Sequence, residues 1–163
     1  MYNLAIRLYA FFIYLISPFH KKAKQMVRGQ ENAYRILGER IDPKEKYIWV
    51  HCASLGEFEQ ARPLIEALKK EYPEYRILLT FFSPSGYEVR KEYTFADIVC
   101  YLPFDTPKRV TAFFNLVKPT LAVFVKYEFW YNYIHEAYLR KIPVYLISSI
   151  FRENQPFFKK NAG

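Results

Sequence analysis

Five short runs of nearly unbroken apolar residues, separated by amphipathic stretches, restrict this chain's fold more than any other feature. They occupy residues 47–52, 76–82, 98–102, 121–125 and 144–147. A strand with one wet face alternates apolar and polar residues, whereas a continuous apolar run belongs to a strand covered on both sides. Covering both faces of a sheet requires helices on both, and strand–helix–strand repetition gives right-handed crossovers and parallel pairing. The expected class is α/β: a Rossmann-like, mainly parallel five-stranded sheet with flanking helices, ordered 3-2-1-4-5. A membrane-associated helix is expected to precede it. No internal repeat or low-complexity tract interrupts the pattern.

Helix punctuation between the runs agrees with this plan. Ala23, Met26, Val27, Ala33 and Leu37 recur at helical spacing between Phe19 and Leu37. Thr106-Pro107 reads as an N-cap with proline in the first turn, followed by a stripe of Val110, Phe113, Phe114 and Val117 that Pro119 ends. Trp130, Ile134 and Ala137 keep the spacing between Glu128 and Arg140. Pro63 predicts that the first crossover helix begins near Arg62, with residues 54–60 as a loop or irregular turn.

The first thirty residues carry a different signal. Residues 4–16 are apolar apart from Arg7, too few to match the ~20 residues of a bilayer-spanning helix. Ser17-Pro18 breaks the segment, and Lys21, Lys22 and Lys24 follow, with Arg28 beyond them; the first acidic residue is Glu31. This order predicts a monotopic or shallowly inserted anchor helix over residues 1–17; the alternative is a helix buried in the core or packed on a partner subunit. Leu8, Phe11, Phe12 and Leu15 would contact acyl chains, and Lys21, Lys22 and Lys24 anionic lipid head groups. The net charge of +8 therefore points to lipid, not nucleic acid, because the basic cluster follows an apolar run instead of tracking a groove. Residues 18–163 form the expected Rossmann-like domain. Cys52 and Cys100 lack metal-ligand spacing and fall on predicted buried strands, which implies reduced thiols.

In a 3-2-1-4-5 sheet, strands one and four adjoin where the winding reverses, and ligands bind beyond their carboxyl ends. Two loops meet there. One runs through His51, Cys52, Ala53, Ser54, Leu55, Gly56 and Glu57; the other contains Lys126, Tyr127, Glu128, Phe129 and Trp130. Paired carboxylates beside aromatic rings suit a carbohydrate, with one carboxylate taking a hydroxyl proton. On spacing alone, the favoured role of Glu57 is a helix cap, and that of Glu128 a partner for Lys126. Ser85 and Gly86 offer backbone N–H groups to a phosphate or simply form a turn. Arg152 follows strand five and reads either as a solvated arginine, the simpler role, or as a contact for an anionic substrate. His51 reads as a strand-end residue with a local hydrogen bond.

The segment Ile48-Trp49-Val50-His51-Cys52-Ala53-Ser54-Leu55-Gly56-Glu57, continuing through Ala61-Arg62-Pro63-Leu64-Ile65, resembles a motif of the bacterial Kdo transferases. These attach 3-deoxy-D-manno-octulosonic acid (Kdo) to lipid A precursor. Further matches are Ser85-Gly86, Tyr101-Leu102-Pro103-Phe104-Asp105, Glu128-Phe129-Trp130-Tyr131-Asn132 and the stretch from Phe151 to Phe158. The resemblance implies an inverting, metal-independent glycosyltransferase of GT-B architecture, with no cofactor beyond its donor substrate CMP-Kdo. The N-terminal domain would take the membrane-embedded lipid A precursor, at the cytoplasmic face of the inner membrane. CMP-Kdo would bind a C-terminal domain beyond Gly163, leaving this chain inactive alone.

The resemblance also carries the general-base role onto Glu57; the candidate acceptor contacts are Ser54, Gly56, Ser85, Gly86, Lys126, Glu128 and Arg152. Two positions depart from the family pattern: Lys126 stands where many members have an acidic residue, and Tyr131 where many have proline. The rival readings are a non-catalytic membrane-associated binding module of the same fold and another lipid-linked GT-B glycosyltransferase.

Overall fold

The computed structural model describes residues 1–126 and 128–149. The readings at Tyr127 and Arg152 lie outside these residues. Two N-terminal helices, α1 (Tyr2–Ile16) and α2 (Lys21–Arg40), precede the sheet. The alternating part follows as β1 (Lys46–Cys52), α3 (Leu55–Glu71), β2 (Tyr75–Phe81), α4 (Pro84–Arg90) and β3 (Ile98–Tyr101). It continues through α5 (Pro107–Val117), β4 (Leu121–Val125), α6 (Tyr131–Leu139) and β5 (Val144–Ile147).

All pairings are parallel and the strand order is β3-β2-β1-β4-β5, as the apolar runs predict. Alternate residues of each strand feed two separate cores. Trp49, Leu78, Cys100 and Phe124 pack with α2, α5 and α6 on one face. Val50, Leu79, Val99 and Val123 pack with α3 and the Tyr87 side of α4 on the other. Much of the aromatic excess gathers around fully buried Trp49, whose ring centre lies 4.8 Å from Phe113, 5.0 Å from Phe124 and 5.4 Å from Tyr133. Tilted and edge-on pairs of this kind contribute ~0.5–1.5 kcal/mol each beyond area burial.

The first crossover corrects the sequence reading. Helix α3 starts at Leu55 and carries Pro63 in its interior, instead of beginning near Arg62. A proline there costs about 3 kcal/mol through a lost hydrogen bond and a clash with the carbonyl four residues earlier. Two features offset it: a capping box at Ser54 and Glu57, and a fully buried stripe of Phe58, Ala61 and Ile65. Each stripe residue removes apolar surface from water along the face that meets the sheet.

Helix α1 lies against the rest of the fold through Asn3, Ile6, Ala10, Ile13 and Tyr14, none of them fully buried. Its other face exposes Leu4, Leu8, Phe11, Phe12 and Leu15, a stripe at helical spacing. No single described helix is long and apolar enough to cross a membrane, and α1 and α2 meet at a bend of 118°.

Two glycines separate packing from access. A Cβ at Gly86 would lie 2.2 Å from the Phe81 ring, whereas one at Gly56 meets nothing within 4 Å. Gly86→Ala should therefore lower stability by about 1–3 kcal/mol through overpacking. Gly56→Ala should leave stability unchanged or raise it, since alanine favours a helix by ~0.5–1 kcal/mol. Denaturant unfolding of both variants checks the contrast.

Candidate functional site

The carboxyl ends of β1 and β4 adjoin, with His51 in register with Phe124. From β1 the chain passes to Ser54, the N-cap of α3. Ser54 accepts the backbone N–H of Glu57, and the Glu57 carboxylate reaches back to accept the Ser54 N–H at 2.9 Å. Both orphan donors are satisfied reciprocally, so the cap also fixes where the carboxylate sits. Gly56, between them, is exposed. From β4 the chain turns at Lys126 in the left-handed conformation, φ 60°, an uncommon state for a side-chain-bearing residue. It then reaches Glu128 and Trp130, the N-cap of α6.

Beneath these loops runs a buried polar relay. Trp130 Nε1–H donates to His51 Nε2 at 3.2 Å, and His51 Nδ1 lies 2.9 Å from Thr80 Oγ1. An indole N–H only donates, so Nε2 is the bare nitrogen and Nδ1 carries the proton, donated to Thr80. Thr80 Oγ1 also accepts Trp49 Nε1–H at 2.8 Å. Burial holds the His51 pKa down at about 3, so the imidazole is neutral. His51 is thus a long-range junction and not the locally bonded strand end expected. The sequence shows only that His51 and Thr80 interrupt two apolar runs; the structure makes them direct register partners.

Glu128 reaches over this relay, its Oε2 3.9 Å from His51 Nε2. Because His51 is neutral, this is not an ion pair. The Glu128 pKa is pushed up to about 7, first by burial and then by the negative charge of Glu57, while a hydrogen bond from Trp130 acts the other way. The two carboxylates proposed from sequence thus stand on segments that follow adjoining strands, and the charge of Glu57 is felt at Glu128. Among the described residues no ion pair joins Lys126 to Glu128. The Cys52 thiol is pushed up by burial and then by the charges of Glu57 and Glu128, and burial raises that of Cys100 to about 12. Neither offers a ready thiolate.

The loop after β2 contributes differently from the phosphate cradle considered above. Ser83 Oγ accepts the Ser85 N–H at 3.2 Å, and the Ser83 carbonyl accepts the Gly86 N–H. Gly86 itself is closed off by the Phe81 ring. Those donors are committed inside the loop; what it presents to the site is Phe82, whose ring centre lies 4.6 Å from that of Trp130. Two further residues of the rim, Asp105 and Asn132, are buried and hydrogen-bonded to each other. Leu8, Phe11, Phe12, Leu15, Lys21, Lys22 and Lys24 are all exposed on the N-terminal helices. Among the described residues no three His, Cys, Asp or Glu side chains converge as a metal site requires.

Comparison with known proteins places this geometry in a family. The family described as 3-deoxy-D-manno-octulosonic-acid transferase (kdotransferase) matches residues 27–159. A 3-deoxy-D-manno-octulosonic acid transferase of Haemophilus influenzae is 37% identical over 81% of this chain and 30% of its own length. The transferase of that name from Aquifex aeolicus is 38% identical over 68% of this chain and 32% of its own. A bifunctional glycosyltransferase/methyltransferase of Fusobacterium nucleatum is 33% identical over 98% of this chain and 24% of its own. The chain thus spans about a third or less of the length of these relatives. With the match running from α2 past β5 and including both site loops, the chain belongs to the 3-deoxy-D-manno-octulosonic-acid transferase family.

Proposed function

We propose that this chain is the acceptor-binding part of an inverting glycosyltransferase that moves Kdo from CMP-Kdo to lipid A precursor in lipopolysaccharide synthesis. The observation that carries the reading is that Glu57 and Glu128 follow the adjoining strands β1 and β4 at the switch point of the sheet, in a chain of the 3-deoxy-D-manno-octulosonic-acid transferase family. A hydroxyl of the acceptor sugar attacks the anomeric carbon of Kdo while the bond to the CMP phosphate breaks. CMP leaves as an anion, needing little acid assistance, and Glu57 takes the hydroxyl proton. The capping box holds the Glu57 carboxylate in one place, the pre-organisation a proton acceptor requires. Glu128, when ionised, adds negative charge that favours positive charge developing on the sugar ring. Ser54, Gly56 and Lys126 line the same loops, and the donor is assigned to a domain outside this chain.

The acceptor is a lipid, and α1 suits that. Its exposed stripe of Leu8, Phe11, Phe12 and Leu15 would lie in the cytoplasmic face of the inner membrane. Lys21, Lys22 and Lys24 occupy the first turn of α2, which holds no acidic residue. A helix N-terminus already bears positive potential, so these lysines gain nothing from their own helix and reinforce attraction for anionic head groups.

Replacing Glu57 by Gln keeps the reciprocal cap, because Gln also fits that position. The complete enzyme carrying Glu57→Gln should lose ~10²–10⁴-fold in kcat with its melting temperature unchanged. Near-normal turnover would remove Glu57 as proton acceptor; transfer from UDP-sugars but not CMP-Kdo would favour the other glycosyltransferase reading.

The raised pKa of Glu128 gives a second test. Transfer should climb as pH rises through about 7, and Glu128→Gln should flatten that climb. Stability carries the opposite sign: a carboxyl with a raised folded pKa binds more protons folded than unfolded between its two pKa values, so its contribution falls as pH rises. Glu128→Gln should accordingly raise the melting temperature more at pH ~8 than at pH ~5. Depression of the His51 pKa acts in both proteins alike and cancels in the difference.

Flotation with vesicles tests the anchor. The chain should bind vesicles rich in phosphatidylglycerol, and either Phe11→Ser with Phe12→Ser or Lys21→Glu with Lys22→Glu should abolish binding. Retention by both double variants would refute the assignment.

A further inference from the structure

Two independent sets of contacts run from α1 to the loop that carries Glu128. The first is polar and centres on buried Asp105. Its Oδ2 accepts the Tyr2 hydroxyl and, at 3.2 Å, the backbone N–H of Asn132; its Oδ1 accepts the N–H of Tyr133 at 3.2 Å. The Asn132 side-chain amide donates to the Asp105 carbonyl at 2.7 Å and to Asn3 Oδ1 at 2.8 Å. Helix α6 receives no side-chain cap from its own N-cap residue, Trp130. Asp105 supplies the missing acceptors from a loop on the other side of β4, and Tyr2 and Asn3 hold Asp105 and Asn132 in turn.

The second set is aromatic. Tyr9 stacks on Phe82 with ring centres 6.2 Å apart and planes at 24°, and Phe82 packs on Trp130 at 4.6 Å. Trp130 then meets His51 through its indole N–H. Trp130, which also hydrogen-bonds Glu128, is thus gripped between a fixed histidine and the first helix.

We infer that α1 is a positioning element of the site as well as a membrane-facing helix. Tyr2 and Asn3 act through Asp105 and Asn132, and Tyr9 through Phe82, to hold residues 128–130 in place over His51. The apolar outer face of the same helix then links its seating on a lipid surface to the order of the loop bearing Glu128. The consequence for transfer rests on the catalytic reading above; the mechanical coupling stands independently of it.

The test uses the 163-residue chain labelled with 5-fluorotryptophan, which has two fluorine resonances, from Trp49 and Trp130. Trp130→Phe assigns them. The double variant Tyr2→Phe, Asn3→Ala removes the polar ties while keeping the apolar face. The expected result is a shifted and broadened Trp130 line beside an unchanged Trp49 line, which reports the intact core. A Trp130 line that stays put, or that moves together with the Trp49 line, overturns the inference and leaves the catalytic reading untouched. Conversely, a displaced Trp130 line alongside full activity of Glu57→Gln in the complete enzyme keeps the coupling and removes the catalytic reading.

Discussion

The carboxyl end of β1 is the constraint on which the rest of this molecule depends. Its strand is buried on both faces at the middle of an all-parallel sheet, and it delivers His51 to a place where water cannot solvate it. A buried imidazole must find partners or cost several kcal/mol, and it finds them in Thr80 on one side and Trp130 on the other. Three residues later Ser54 begins the reciprocal cap of α3 that sets the direction of the Glu57 carboxylate. One strand end therefore anchors the loop from β4 and orients the acidic group of its own loop.

That arrangement has an electrostatic consequence. The Glu128 carboxyl, largely out of water above a neutral histidine and within the field of Glu57, holds its proton more tightly than free glutamate. The shift at Glu128 is a cost to folding above neutral pH, and the sheet and the aromatic cluster around Trp49 carry it. Left-handed backbone occurs beside the site at Lys126 and, among the described residues, also at Lys118, Lys141 and Ser148.

Much of the architecture was readable in advance because burial on both faces leaves an unmistakable imprint. The runs at residues 121–125 and 144–147 coincide with β4 and β5, and the remaining three agree within a residue at each end. The N-terminus of α5 at Pro107 was equally legible, since proline and threonine act locally there. Pro63 misled for the opposite reason. Its local penalty is real, but the cap at Ser54 and the buried stripe of Phe58, Ala61 and Ile65 outweigh it, and that stripe acquires its value only against the finished sheet.

The site divides along the same line. The sequence by itself determined the sheet, its winding, and therefore that the loops after β1 and β4 meet, because hydrophobic runs and crossover handedness leave few alternatives. It also placed Glu57 and Glu128 on those loops. Only the tertiary structure decided what surrounds them: the relay from Trp49 through Thr80 and His51 to Trp130, the cap that Asp105 lends to α6, and the docking of α1 on the rim. Those partners lie 27 to 103 residues apart, and the hydrogen bonds that join them are settled by register and packing, which no local pattern of residues encodes.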